Sequence, residues 1–307
     1  MIDKTPVKII AIIVIPIVLA VLIRFATWDE KDTKSKKGSD KTEKIDLKGF
    51  DNESAAKVMI SWLLPEKLLE VSGIAWMDAD RFACVQDELG KIFIFNARLN
   101  KIEKEIPFGP NGDYEGVAVV GKNLYVLRAD GTLFGVENFA SDKPNVKMYK
   151  THLGKKQDCE SLAYDDKNNR LLVAVKEEDS FSKDYKGIYG FDLTSKAMSS
   201  TPVYKINLKD AIFEQVDEEK TKNLISPSDI DINPLNGSIY ILEGTVPKLL
   251  IMSPEGKLLS LYKLDKKEFP QPEGITFADN GTMFISNEGN KKDEKEGNIL
   301  QVDLLNK

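Results

Sequence analysis

The chain has 307 residues, with 43 basic and 49 acidic side chains and a formal net charge of −6. Proteins that bind nucleic acid carry a basic surface, so this acidic balance excludes nucleic acid as an expected partner. Two cysteines are too few for a disulfide framework. A hydrophobic content of 42% is enough for a substantial core.

Residues 1–28 predict a transmembrane signal anchor. Every residue of Ile9–Ile23 is apolar or proline. This run is short for a bilayer span, which needs about 20 residues. The segment Pro6–Trp28 is long enough, because Lys8 and Arg24 can extend their charged ends to the membrane surface.

The alternative for this segment is a cleaved signal peptide. The run is not followed by a clear small-x-small cleavage site, which favours an uncleaved anchor. Lys4 and Lys8 precede the run and favour an N-terminus inside the cell, with the rest of the chain outside the cytoplasmic membrane.

Residues 29–49 predict a charged, flexible linker. Thirteen of the twenty residues 29–48 are charged, seven lysines and six acids. Such a composition cannot bury a core. A folded domain is therefore expected over residues 50–307, with its first strand within residues 57–64.

A short motif occurs five times in this domain, as a small or acidic residue, then Gly, Ser or Asp, then an alternating apolar run. The copies are Ser72-Gly73-Ile74, Glu115-Gly116-Val117, Glu160-Ser161-Leu162, Ser228-Asp229-Ile230 and Glu273-Gly274-Ile275. Their first residues are 43, 45, 68 and 45 positions apart. A period of about 40–45 residues is typical of four-stranded propeller blades. The sequence therefore predicts an all-β, five-bladed β-propeller preceded by one transmembrane helix.

Three further apolar segments follow most copies and predict the other strands of each blade, with hairpin signals such as Asn236-Gly237 between them. The third repeat is longer because it contains a polar loop and the segment Leu208–Lys222, whose helical spacing of apolar residues predicts a short amphipathic helix. The fifth repeat supplies only three strands. The segment near Val58–Leu64 is predicted to supply the fourth and to close the ring.

Several single residues receive structural rather than chemical interpretations. Cys84 and Cys159 fall in blades one and three, which are not neighbours in a five-bladed ring, so we predict two buried free thiols. Trp76 and Tyr164 fall at strand positions and are interpreted as core residues. The only histidine, His152, is expected in a surface loop, and one imidazole cannot build a His-rich zinc site.

The series of motifs resembles the SdiA-regulated (YjiK-like) family of membrane-anchored propellers. The resemblance covers about residues 57–305 and rests on Ser72-Gly73-Ile74, Glu115-Gly116-Val117, Glu160-Ser161-Leu162-Ala163, Pro272-Glu273-Gly274-Ile275 and Ile285-Ser286-Asn287-Glu288. It implies a propeller fold and a location in the bacterial envelope. It does not imply an activity.

The first strand of each blade lines the channel of a propeller, so acids of the motif are expected to converge with acids at the ends of second strands. The predicted metal ligands are Glu115, Glu160, Glu273, Glu288, Glu177 and Asp229. Clustered carboxylates cannot all stay ionised without a cation or shifted pKa values. Hard oxygen ligands suit Ca²⁺, which we predict in the channel. The alternative is that these acids bind backbone amides or line a solvated funnel.

The sequence thus predicts a monomeric, extracytoplasmic binding or scaffolding module, tethered to the cytoplasmic membrane, whose ligand is a small molecule or an envelope protein. The alternative function is a lactonase- or phytase-like metal-dependent hydrolase, in which the same carboxylates hold the ion and one acts as base. A phosphate substrate would also need a basic rim, for which Lys176 and Arg128 are the candidates.

Overall fold

The computed structural model describes residues 55–214, 216, 224–292 and 295–305. The predicted anchor and linker lie outside these residues. Within the described ranges, no helix has the length and apolar character needed to cross a membrane. The described residues form strands and three short 3-10 helices, at Glu66–Leu68, Asp166–Asn168 and Ala211–Phe213.

The strands are grouped into five blades, preceded by β1 (Ala56–Leu63). Blade one contains β2 (Val71–Asp78), β3 (Arg81–Gln86), β4 (Lys91–Asn96) and β5 (Lys101–Pro107). Blade two contains β6 (Tyr114–Val120), β7 (Asn123–Arg128), β8 (Leu133–Glu137) and β9 (Asn145–Tyr149). Blade three contains β10 (Cys159–Asp165), β11 (Arg170–Val175), β12 (Tyr185–Asp192), β13 (Ala197–Met198) and β14 (Tyr204–Asn207). Blade four contains β15 (Asp229–Ile232), β16 (Ile239–Glu243), β17 (Lys248–Met252) and β18 (Leu258–Lys263). Blade five contains β19 (Pro272–Phe277), β20 (Met283–Asn287) and β21 (Asn298–Leu304).

The blades form a closed ring, as the repeat predicts. Neighbouring inner strands contact each other in the order β2, β6, β10, β15 and β19, and β19 contacts β2 again. The N-terminal β1 pairs antiparallel with β21 as the outermost strand of blade five, with Trp62 opposite Ile299. The predicted closure by the N-terminal strand is therefore confirmed.

Five apolar clusters hold the ring together, each between two neighbouring blades. In β3, Phe82 and Cys84 pack between blades five and one, whereas Ala83 and Val85 pack between blades one and two. Because successive side chains of a strand point to opposite faces, a sheet buried on both faces needs apolar residues at consecutive positions. Each fully buried large apolar side chain stabilises the fold by about 1.5–3 kcal/mol.

Glycines of the motif allow the inner strands to approach closely. A Cβ atom on Gly116 would lie 2.6 Å from Cβ of Leu162 and 3.1 Å from its backbone nitrogen. A Cβ atom on Gly73 would lie 2.7 Å from the carbonyl oxygen of Glu115. These contacts place equivalent motif positions of blades one, two and three at one level of the ring.

Replacing Gly116 by alanine is expected to lower the free energy of unfolding by about 1–3 kcal/mol, because an added methyl group would force β6 and β10 apart. Gly154 provides a matched control, since its Cβ position has only Gln157 Oε1 nearby, at 3.7 Å. Gly154→Ala is expected to change stability by less than about 0.5 kcal/mol. Urea denaturation of both variants tests this, and equal effects would contradict close packing at Gly116.

Blade three differs from the prediction in two respects. Its outer strand is divided into β13 and β14, which both pair with β12. The predicted amphipathic helix over Leu208–Lys222 is wrong for the described part of that segment, which contains only the 3-10 turn Ala211–Phe213. Asp210 caps this turn by accepting from the Ile212 amide at 3.0 Å.

Both cysteines are free and buried, as predicted. Cys84 lies in β3 and Cys159 at the start of β10. Burial raises the pKa of both thiols, so they remain protonated core residues.

Candidate functional site

The acids of the repeated motif meet at one mouth of the channel, which we call the acidic mouth. Glu115, Glu160 and Glu273 occupy equivalent positions at the start of β6, β10 and β19. The negative charges of Glu160 and Glu273 both raise the pKa of Glu115. The structure thus brings together three predicted site residues from three blades.

Lys176 supplies a positive charge to the acidic mouth. Its Nζ forms an ion pair with Oε1 of Glu160, and its charge also acts to lower the pKa of Glu273. Lys186 holds the turn after β11, because its Nζ donates to the carbonyl oxygens of Lys176 and Glu177. Glu177 lies in this turn with a half-buried side chain. Lys176 therefore offsets part of the negative charge of Glu160 and Glu273.

Glu288 extends the acidic mouth in blade five. Its carboxylate accepts a hydrogen bond from the side-chain amide of Gln271. Negative charges on Glu273 and Asp87 both raise the pKa of Glu288. Blades one and five therefore contribute to the same electrostatic cluster as blades two and three.

Two acids of this cluster, Asp113 and Asp158, were not predicted. Asp113 forms a side-chain hydrogen bond with Glu115, and the charge of Asp158 acts on Glu160. Each lies two residues before the corresponding glutamate, in the segment that enters the inner strand. The repeated Asp-x-Glu spacing is the sequence signal that identifies them.

Burial and mutual repulsion raise the pKa values of the acidic mouth. Burial is the largest cause, and it raises the pKa of Glu115 to about 10, of Glu160 to about 8 and of Glu288 to about 7. It also raises the pKa of Glu273. At neutral pH, Glu115 and much of Glu160 are therefore protonated. Such groups ionise when a positive ligand replaces the proton.

Buried oxygen atoms without a hydrogen-bond partner are found at the same end of the channel. Among the described residues they are Asp87 Oδ1, Glu160 Oε2, Ser161 Oγ, Ser286 Oγ and Asn287 Oδ1. Ser161 follows Glu160, and Ser286 and Asn287 are the last two residues of β20, directly before Glu288. All five atoms can accept a hydrogen bond or bind a cation. Buried polar atoms are normally paired, so this group indicates a ligand or ordered water.

The carboxylate and unpartnered oxygen atoms of the acidic mouth are hard ligands, which is the type that Ca²⁺ prefers. Their present arrangement is not that of a formed metal centre. Within the described ranges, no three or more His, Cys, Asp or Glu side chains are arranged to hold one metal ion. Binding would require the glutamate side chains to turn toward a common point.

Asp229 connects three blades inside the ring. Its Oδ1 accepts the amide hydrogen of Leu162 at 3.3 Å, and its Oδ2 accepts that of Ile275 at 2.8 Å. The side chain is buried, with 2% exposed. Burial raises its pKa, while these amides act in the opposite direction. These contacts correspond to the alternative interpretation of the acids, as acceptors for backbone amides, and Asp229 is not among the ligands that we propose below.

The basic residues considered for a phosphate site are both paired with carboxylates. Arg128 binds Asp130 through two hydrogen bonds, of 3.0 and 2.7 Å, and Lys176 binds Glu160. This pairing disfavours a phosphate substrate. His152 is exposed, as predicted, and its ring lies edge-on to Tyr189 at 5.4 Å.

The chain is similar to one family of sequences and to several solved structures. The sequence profile of the SdiA-regulated family matches residues 63–292, whereas no curated protein matches the chain. The solved glutaminyl cyclase of Myxococcus xanthus is 14% identical, with a TM-score of 0.57, over 81% of this chain and 95% of that one. The PQQ-bound aldose sugar dehydrogenase of Streptomyces coelicolor is 12% identical, with a TM-score of 0.48, over 82% of this chain and 99% of that one. At such identities the likeness to the cyclase shows the fold alone. Because the family profile covers most of its length, the chain belongs to the SdiA-regulated family.

Proposed function

We propose that the protein is a membrane-tethered binding module that holds calcium at the acidic mouth of its propeller. The observation that carries this proposal is the group of buried, unpartnered oxygens beside carboxyl groups with raised pKa values. Ca²⁺ takes about six to eight oxygen ligands in flexible geometry. Glu115, Glu160, Glu273 and Glu288 are the proposed protein ligands, and water completes the shell.

Calcium binding at this site is coupled to proton release. The protonated carboxyl groups of Glu115 and Glu160 must lose their protons before their oxygens can bind the ion. When calcium is absent and Glu160 is ionised, Lys176 serves as its counter-charge. The affinity for calcium therefore increases as pH rises from 6 to 9, because the free-energy cost of removing these protons becomes smaller.

Calcium is expected to raise the melting temperature of the purified full-length protein. A ligand present at about 100 times its dissociation constant stabilises the folded state by about 2.7 kcal/mol. For a domain of this size the shift is roughly 5–10 °C. Glu160→Gln is expected to remove most of the shift, because the amide is a poorer calcium ligand than the carboxylate. Thermal unfolding with calcium and with chelator measures this difference.

Glu137→Gln is the matched control for this experiment. Glu137 lies on the outer part of blade two, where its carboxylate binds Lys147 and Asn145. The variant should retain the calcium response of the unaltered protein. A response that Glu160→Gln retains in full, or that Glu137→Gln also loses, would reject the acidic mouth as the calcium site.

A metal-dependent hydrolase is the second candidate function. One observation favours it: Glu160 has an unpartnered oxygen and a pKa near 8, which suits a general base. Hydrolysis of simple lactones and aryl esters, lost on chelation and in Glu160→Gln, would support this activity. Calcium binding without any such hydrolysis would leave the binding module as the function.

The location is part of the proposal and rests on the N-terminal sequence. We propose that the propeller lies outside the cytoplasmic membrane, on a single anchor formed by residues 1–28. Alkaline phosphatase fused after Lys307 is expected to be active, because this enzyme folds only after export. An inactive phosphatase fusion, together with a fluorescent cytoplasmic reporter at the same position, would contradict this topology.

A further inference from the structure

The opposite mouth of the channel contains a cavity of about 380 Å³. It is lined by the second halves of all five inner strands, from Ile74–Met77 in blade one to Ile275–Phe277 in blade five. The acidic mouth lies at the first residues of the same strands. The two sites are therefore at opposite ends of the ring and share no side chain.

Most of the side chains that line the cavity are apolar, although polar atoms make up about half of its surface. Trp76, Met77, Val119, Tyr164 and Ile232 line it and are only half-buried. Trp76 and Tyr164 pack against core clusters, as the sequence predicts, but both also line this cavity. Half-exposed apolar side chains that converge from several strands are typical of small-molecule pockets. The body of a suitable ligand is therefore apolar.

The charge of the cavity is negative. The residues that line it include Asp231 and Asp279, and none of the described lining residues is basic. Asp231 accepts hydrogen bonds from two backbone amides, those of Ile232 at 2.8 Å and Phe277 at 2.9 Å, and it forms a third with the side chain of Thr276. A carboxylate can accept about four hydrogen bonds, so Asp231 retains acceptor capacity toward the cavity. Burial raises its pKa to about 6, so that it is charged at pH 7.5.

The aromatic side chains of the cavity also favour a positively charged ligand. The backbone amide of Trp76 donates to Oγ1 of Thr276 at 3.0 Å, and the Tyr164 hydroxyl donates to Asp166 at 2.9 Å. The first bond restrains the backbone at Trp76 in blade one, and the second restrains the side chain of Tyr164 in blade three. Indole and phenol faces attract cations as well as flat apolar groups.

We propose that this second mouth binds a small molecule that combines a flat apolar body with one ammonium group. The apolar body packs against Trp76 and Tyr164, and the ammonium group binds the carboxylate of Asp231. A neutral ligand of the same shape lacks the ionic contact, and an anionic one is repelled by Asp231 and Asp279. This site is independent of the proposed calcium site.

Isothermal titration calorimetry with three indole probes tests the proposal. The full-length protein in lipid nanodiscs is titrated at pH 7.5 with tryptamine, tryptophol or indole-3-acetate, and empty nanodiscs are subtracted. Tryptamine is expected to bind with one-to-one stoichiometry. Tryptophol should bind at least tenfold more weakly, and indole-3-acetate should not bind measurably.

Three variants locate the binding site. Asp231→Asn should weaken tryptamine binding to the level of tryptophol, without an effect on tryptophol. Tyr164→Leu should weaken both probes, and it provides a second test if Asp231→Asn does not fold. Glu160→Gln, at the acidic mouth, should change neither. Equal affinity for all three probes, binding of none, or loss of tryptamine binding in Glu160→Gln alone would overturn the proposal.

Discussion

Replacing Asp229 by alanine is expected to lower the free energy of unfolding by about 4 kcal/mol. The change removes the acceptor for two buried amides, those of Leu162 and Ile275. Each amide left unpaired costs about 1–3 kcal/mol. These amides belong to blades three and five, whereas Asp229 belongs to blade four, so the loss weakens two interfaces at once. Chemical denaturation of the purified protein measures the change.

Asp229→Asn and Asp303→Ala complete this experiment. Asparagine retains one acceptor oxygen, so we expect roughly half of the alanine effect. Asp303 is an exposed residue of β21, and its replacement should change stability by less than about 0.5 kcal/mol. If Asp229→Ala proved as stable as Asp303→Ala, Asp229 would not connect the blades as described.

In the absence of calcium, stability is expected to fall as pH rises from 5 to 9. The pKa of Glu115 is raised to about 10, that of Glu160 to about 8 and that of Glu288 to about 7. Between the ordinary glutamate pKa and these values, the folded protein holds protons that the unfolded chain has lost. Unfolding then releases protons, so higher pH favours unfolding. The fall is steepest between pH 5 and 7, where all three groups contribute, each by at most about 1.4 kcal/mol per pH unit.

Calcium and Glu115→Gln should both reduce this pH dependence. A bound cation keeps the carboxylates ionised in the folded state, so the proton difference between the two states becomes smaller. Glu115→Gln removes the group with the highest pKa, and it should make the calcium-free protein more stable than the unaltered one at pH 8. Unfolding curves at four pH values, with calcium and with chelator, provide the measurement. Stability that increases steadily from pH 5 to 9 without calcium would contradict the raised pKa values.

The fold was largely predictable because the motif marks the one strand of each blade that must approach its neighbours. Gly73, Gly116 and Gly274 occur where inner strands lie close together. The alternation of apolar residues then defines the remaining strands. The segment after Leu208 was predicted poorly, because the spacing of its apolar residues also fits a short turn whose Ile212 and Phe213 pack into a blade interface.

The convergence of Glu115, Glu160 and Glu273 followed from the repeat, but the roles of single acids did not. Asp229 has a motif position equivalent to that of a glycine, and its partners are amides of other blades, which no local pattern specifies. The pairing of Lys176 with Glu160 depends on where the turn after β11 places the lysine relative to β10, which the sequence does not specify. The second mouth was missed because half-buried Trp76 and Tyr164 have the same sequence pattern as core residues.

A crystal structure, determined from crystals grown in the presence of calcium, tests most directly the central claim that calcium binds at the acidic mouth. We predict one strong density peak between Glu115, Glu160 and Glu273, with oxygen ligands at about 2.3–2.6 Å and with Glu160 turned away from Lys176. An acidic mouth that contains only water at saturating calcium, with Glu160 still bound to Lys176, would contradict the proposed site.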